Sequence, residues 1–359
     1  METIGVIINP GGSSSDYFIL EGKLIERFGD EPLANRIASP GKSLVSKNVV
    51  HKNFIYKGET MLTQEQVYLN IHERKYYDRL YKYYKYNLDG EESLQNEDIE
   101  MYSINGLSLY GQEEILDLSK LSDLCGVKAI ALNRHHYISV DTLSRFHKLE
   151  YFQMLNLCDD LIPFNNFEKL WYAEINYDKK TCNLIFNNLQ LEHLTLHNYK
   201  EKHHNDLSKL KNIKRLNLNQ FNLTNLEFIS QLQRIDFLGV SYNRNLTTIK
   251  DLDKTNLRGL SIVNCKKIID WKIISNLKKL EEIYLVDCGE IESVSFLNEL
   301  PNLKMLMITG NTTIKDGLLK DIIEKIGLEK ANITLKKHYD ITEDDLNRFK
   351  FVQYTGIQN

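Results

Sequence analysis

Proline is scarce, with five in 359 residues, so long proline-stiffened linkers are excluded. Cysteine is as sparse. Cys125, Cys158, Cys182, Cys265 and Cys288 form an odd set without a close Cys-x-x-Cys pair. That spacing speaks against a zinc site and a disulfide framework, and it fits a reducing compartment. No run approaches the roughly 18 consecutive apolar residues that cross a bilayer. The opening Met1-Glu-Thr-Ile-Gly-Val-Ile-Ile lacks the basic start of a secretion signal. Neither sign of charge dominates, since the net charge is −4, whereas a general nucleic-acid binder is strongly basic. A cytoplasmic protein without membrane association is expected.

What is abundant is leucine at regular intervals, and repeats take precedence over local structure in such a chain. From Leu280, apolar residues follow at Ile283, Leu285, Cys288, Ile291, Val294, Leu297 and Leu300. The preceding stretch repeats those offsets at Leu257, Leu260, Ile262, Cys265, Ile268, Trp271, Ile274 and Leu277. The same frame opens units at 104, 127, 149, 170, 191, 213, 235, 257, 280 and 303, a spacing of 21 to 23 residues. Each unit begins with L-x-x-L-x-L, whose alternation suits a short strand with one buried face. It closes with apolar residues at every third position, the period of a 3-10 turn. A single unit buries too little surface to be stable, so the units must stack.

This pattern resembles the leucine-rich-repeat superfamily, in particular the short-repeat class shared by bacterial internalins and a eukaryotic phosphatase-regulating protein. The resemblance covers about residues 104 to 335. It implies an α/β fold: a right-handed solenoid with a concave parallel β-sheet and an irregular or 3-10 convex side. The ninth position, usually Asn in that superfamily, is Asn here only at Asn243 and Asn311, and Cys at Cys265 and Cys288. A less regular ladder is therefore expected in the first half. The unit from Leu170 is the weakest, because Asp178-Lys-Lys-Thr-Cys-Asn breaks the period of three.

Three regions are expected: residues 1–100 of unassigned fold, a solenoid at 101–335, and a C-terminal cap at 336–359. The first contains Thr63 and Gln66, a capping-box pattern, followed by a tyrosine-rich segment read as a helix over 63–87, with Tyr77, Leu80, Tyr81 and Tyr84 on one side. At the other end, Leu318, Leu319, Ile322, Ile323 and Ile326 have helical spacing within 314–327, and Ala331–Leu335 reads as a strand. Thr342 and Asp345 mark the start of a short capping helix.

Chemical motifs are weak. Pro40-Gly41-Lys42-Ser43 lacks the earlier glycine of a phosphate loop, because position 36 is Arg. Asn9-Pro-Gly-Gly reads as a turn. The pairs His135-His136 and His203-His204 point to opposite sides in extended chain and lack carboxylate or thiolate company. Catalytic residues, metals and cofactors are not expected.

The outward strand positions remain. The third positions give Tyr151, Tyr172, His193, Arg215 and Phe237 in one stripe; Met305 follows further along, and Tyr284 and Met307 stand in the fifth positions. Gln153, Glu174 and His197 accompany them. Aromatic, Arg and Met side chains are enriched in protein interfaces. The expectation is a non-enzymatic scaffold, inhibitor or neutralising protein that holds a folded protein partner on its concave sheet. Nucleic-acid binding through the interleaved cations and tyrosines of 74–86 is the first alternative, and steep salt dependence would mark it. An enzyme with its site in residues 1–100 is the second.

Overall fold

A computed structural model describes residues 143–349, apart from 156–159 and 202–205, and nine short segments before them: 6–8, 16–20, 23–26, 71–76, 79–87, 105–110, 115–116, 126–132 and 137–138. Two compact units are distinguished. One comprises Met1–Leu149 with Val352–Asn359, the other Glu150–Phe351. The expected boundary near residue 100 lies inside the first. The motifs at 9–12 and 40–43, both histidine pairs, the Thr63–Gln66 box, Cys125 and Cys158 lie outside the described residues.

In the first unit, β1 (Val6–Ile8), β2 (Asp16–Leu20) and β3 (Lys23–Glu26) form a small antiparallel sheet. The expected helix at 63–87 is corrected. Its segment forms β4 (Ile71–Tyr76) and β5 (Arg79–Asn87), an antiparallel pair with Ile71 opposite Tyr84. The reason lies in the side chains. Tyrosine favours a pleated surface over a helix, and neighbouring strands are available to pair on both sides. Leu80 is exposed and its neighbour Tyr81 buried, as the two sides of a strand allow. Parallel pairing continues from β5 to β6 (Gly106–Tyr110) and on to β8 (Ala129–Leu132), while the short β7 (Ile115–Leu116) pairs with β9 (Tyr137–Ile138).

The second unit is an array of coils. Its strands are β10 (Tyr151–Met154), β11 (Tyr172–Asn176), β12 (His193–His197), β13 (Arg215–Asn219), β14 (Phe237–Ser241), β15 (Gly259–Val263), β16 (Glu282–Val286), β18 (Met305–Thr309) and β20 (Lys330–Ile333). All pair in parallel with each third position opposite the next: Tyr172 with His193, His193 with Arg215, Arg215 with Phe237. The inward positions are Leu194, Leu196, Leu216, Leu218, Leu238, Val240, Leu260, Ile262, Ile283 and Leu285, all buried. Each such side chain contributes roughly 1.5–3 kcal/mol by leaving water. Opposite the sheet run 3-10 turns, for example at Glu227–Gln231, Trp271–Asn276 and Ser295–Glu299. The short β17 (Glu290–Ile291) and β19 (Thr313–Ile314) add a second parallel pair.

The strands β12 to β16 and β18 are each left through a left-handed residue. Asn198, Gln220, Tyr242, Asn264 and Asp287 have φ between 51° and 59°, and Gly310 follows at 64°. This corner aims the backbone N–H at the next coil: Gln220 N donates to Ser241 O at 2.9 Å and Tyr242 N to Val263 O at 2.8 Å. Just inside the corner, the ninth side chain fills the coil. Asn243 is buried; its amide donates to Leu223 O, and its Oδ1 accepts from Asn245 N and Leu246 N. In the last coil that place is taken by Thr312, not Asn311. Asn311 is exposed, while Thr312 Oγ1 accepts from Cys288 N at 3.0 Å and donates to Leu285 O. A tight turn from Thr309 to Thr312 inserts the extra residue.

Where the period of three breaks, a helical turn forms at Lys179–Cys182, capped by Asp178, whose carboxylate accepts from Lys180 N and Thr181 N. At the far end the expected long helix is reduced to Lys320–Ile323. Leu319, Ile322 and Ile323 are buried, but Leu318 and Ile326 face solvent, because the left-handed Gly317 ends one run and Gly327 the other. A capping box at Thr342 and Asp345 opens the helix Glu343–Asn347.

Candidate functional site

The outward side chains of β10 to β18 form three columns on the sheet face, and parallel register sets their order. Tyr151 stacks on Tyr172 with centroids 4.5 Å apart and planes within 13°. Tyr172 stacks on His193 at 6.2 Å, and the Trp171 ring meets His193 edge-on at 5.1 Å. Arg215 lies over the Phe237 ring, 4.1 Å from its centroid. The spacing matches the roughly 4.8 Å between strands, so rings on neighbouring strands cover each other's faces. Tyr151 and His193, expected to project, are buried within the stack at 1% and 7% exposure, and only Tyr172 among these rings keeps partial exposure.

The fifth and seventh columns carry a polar row beside this stack. Tyr151 Oη donates to Gln153 Oε1 at 3.4 Å, and Gln153 Nε2 donates to Glu174 Oε2 at 3.1 Å. His197 Nε2 donates to Glu174 Oε1 at 2.9 Å; its Nδ1 accepts from Asn219 Nδ2, also at 2.9 Å. Ser241 Oγ then donates to Asn219 Oδ1 at 3.2 Å. Five coils are thus joined by one chain of hydrogen bonds, which fixes rotamers before any guest arrives.

Phe237 departs from the expectation of a projecting anchor. It is only 3% exposed, because it lies flat across Gly259, where a Cβ would stand 2.4 Å from the ring. Asn217 covers Gly239 in the same way. These two glycines leave room for larger neighbours to fold down. Phe237→Ala is therefore a cavity mutation as well as a surface one.

The second expected cluster is closed further still. Tyr284 Oη donates to Glu282 Oε2 at 2.8 Å and lies 2.9 Å from Met305 Sδ. Burial and then the adjacent Glu282 carboxylate hold the Tyr284 hydroxyl far above its usual range. Tyr284, Met305 and Met307 are all buried on this face. Tyr172, Gln153, Glu174, His197 and Arg215 are half-buried and remain available.

The second strand-entry position escaped the sequence reading. It runs Glu192, Lys214, Asp236, Arg258, Glu281, Lys304, a strict alternation of sign. Lys214 pairs with Glu192 at 3.0 Å, and Glu281 receives Arg258 at 2.6 Å and Lys304 at 3.1 Å. Burial pushes the Glu281 carboxyl up, but its bonds to Lys304 and Arg258 more than offset this and hold it below the ordinary range. Asp236 stands between Lys214 and Arg258, yet its Oδ1 is buried without a hydrogen bond. Burial outweighs the pull of Arg215, Arg258 and Lys214, and the carboxyl is raised. Reading position two down the repeat would have revealed the column.

Cys265 and Cys288 occupy equivalent slots inside the coils and are free thiols. Burial pushes Cys265 up to about 12 and Cys288 higher, so neither is a ready nucleophile. Among the described residues, no group of three or more His, Cys, Asp or Glu could hold a metal ion, and no helix is long and apolar enough to cross a membrane.

No family model matches the chain. Over 197 residues it is 22% identical to Disease resistance protein RPS4B of Arabidopsis thaliana, a match that takes in 46% of this chain and only 13% of that protein. The fold superposes on an internalin, InlF, from Listeria monocytogenes with a TM-score of 0.50 and 20% identity, over 71% of this chain and 76% of the other. An internalin C2 from the same species shares 22% identity over 50% of this chain and 78% of its own, with a TM-score of 0.42. At such identities the likeness speaks to fold alone. A solved solenoid now stands behind the 22-residue period: the chain has the fold of a leucine-rich-repeat solenoid.

Proposed function

We propose that the chain is a non-enzymatic scaffold or regulatory protein that holds a folded protein partner on the sheet face of β10 to β14. One observation carries this reading. Tyr151, Tyr172 and His193 stack, and Arg215 lies over Phe237, in register beside a hydrogen-bonded row from Gln153 to Ser241. Side chains held in place before contact lose little rotamer freedom on binding, and this raises affinity without added area. Tyrosine and arginine are also the residues on which interface energy concentrates. The face centres on Tyr172, Glu174 and His197, which keep partial exposure.

The test is capture of partners by the intact chain and by a Tyr172→Ala, His197→Ala variant. A partner retained by the parent and lost by the variant, with thermal melting little changed, supports the reading. Equal capture by both would remove the sheet face from consideration.

A further inference from the structure

Where the chain leaves its strands, four successive coils line a groove of about 520 Å³. One wall is the left-handed column Gln220, Tyr242 and Asn264; the other carries Lys200, Asn222 and Arg244. Two features mark this place.

The first is charge. Lys200 and Arg244 are exposed, no carboxylate lines the groove, and neither cation forms an ion pair with a described residue. Several cations elsewhere are neutralised across neighbouring turns, as Lys179 is by Glu201, Lys214 by Glu192 and Lys304 by Glu281. The second is strain. Asn, Asp and Gly tolerate positive φ, and they fill the column at Asn198, Asn264, Asp287 and Gly310. Gln220 and Tyr242, both at φ 55°, do not suit it, and both wall the groove. A corner needed only to turn the chain would hold Asn or Gly. Strain retained at a cavity points to use of the side chain itself.

We propose that this groove binds an extended acidic segment of a protein. The Arg244 guanidinium presents a fork that matches a carboxylate, and Lys200 offers a second charge. The amides of Gln220, Asn222 and Asn264 each carry both donors and an acceptor, as an extended backbone requires. The Tyr242 ring forms the wall between them. Nucleic acid fits less well, because two cations neutralise too few phosphates to hold a strand at physiological salt. The groove continues the polar row, since Gln220 follows Asn219 and Tyr242 follows Ser241. The proposal rests on the protein-binding reading, to which it adds a charged second contact.

The probe is a fluorescein-labelled oligoglutamate peptide, followed by anisotropy at low salt. Saturable binding to the intact chain is expected, with a loss of about tenfold or more in the Lys200→Gln, Arg244→Gln variant, since each charge-assisted bond contributes strongly. Tyr172→Ala is expected to leave peptide affinity unchanged, even if it abolishes partner capture. That result separates failure of the sheet-face reading from failure of this one. No binding to the intact chain, equal binding to the double variant, or loss with Tyr172→Ala would each overturn the proposal. Tyr242→Asn supplies a second readout: a higher Tm together with weaker peptide binding supports it. Unchanged affinity with a lower Tm would return Tyr242 to a packing role and overturn its part in the site.

Discussion

The sheet face of β10 to β13 and that of β14 to β18 are built on the same coil, yet they treat their outward side chains differently. In the first, Tyr151 and His193 are also buried in the ring stack, but polar groups link strand to strand and Tyr172, Glu174 and His197 stay half-exposed. In the second, Phe237 folds over Gly259 and Tyr284 turns to Glu282 and Met305, so the face satisfies itself. The difference teaches that an outward position in a repeat does not guarantee an available side chain. What decides is the size of the neighbour one strand away.

This comparison can be broken or sharpened in order of effect. Leu216→Ala and Leu285→Ala, one core leucine in each half, should each cost about 4 kcal/mol in denaturant unfolding by leaving a cavity. Clearly unequal losses would mean that the two halves also differ inside. Phe237→Ala should cost about 3 kcal/mol, far more than an exposed aromatic, because the ring fills the space above Gly259. Tyr284→Phe removes a hydrogen bond to a buried carboxylate and should cost about 1.5 kcal/mol. Tyr172→Ala should cost less than about 1 kcal/mol while removing partner binding. A larger loss of stability there would place the first half in the same closed class as the second.

The smallest effects concern pH. The Asp236 carboxyl is raised in the fold, so its charged form is penalised at neutral pH, and the penalty is relieved as pH falls through the raised value toward about 3.8. Asp236→Asn should therefore raise Tm slightly at pH 7, with the gain shrinking on acidification. Glu281 is depressed, so its contribution is present above the ordinary carboxylate range and lost as pH falls through the lowered value. Glu281→Gln should lower Tm at pH 7, and the deficit should close in acid. Thermal melts across pH 3 to 8 read both signs on one ladder.

The solenoid was legible because a stacked coil depends on a few aliphatic positions repeated many times. Leu216, Leu260 and Leu285 could hardly be read otherwise. The tyrosine-rich segment misled because Leu80 and Tyr81 satisfy a helical stripe as well as the two sides of a strand, and only pairing with β4 and β6 decides between them. Burial on the sheet face was illegible for a related reason. Phe237 is covered through Gly259, 22 residues away, and one side chain's exposure depends on the absence of another. The Asp178 cap was readable in principle, since Asp before Lys-Lys-Thr is an ordinary helix start. The groove was not, because its lining comes from four coils and its strain is a backbone property.

The alternating column from Glu192 to Lys304 has a bearing on how such an array changes length. Removing one coil, for instance 236–257, would bring Lys214 beside Arg258 and set two cations where an acid now separates them. Removing two adjacent coils restores the alternation. By this column the array has an effective period of about 44 residues, twice that of its leucines, and pairs of coils are its electrostatically neutral unit of growth.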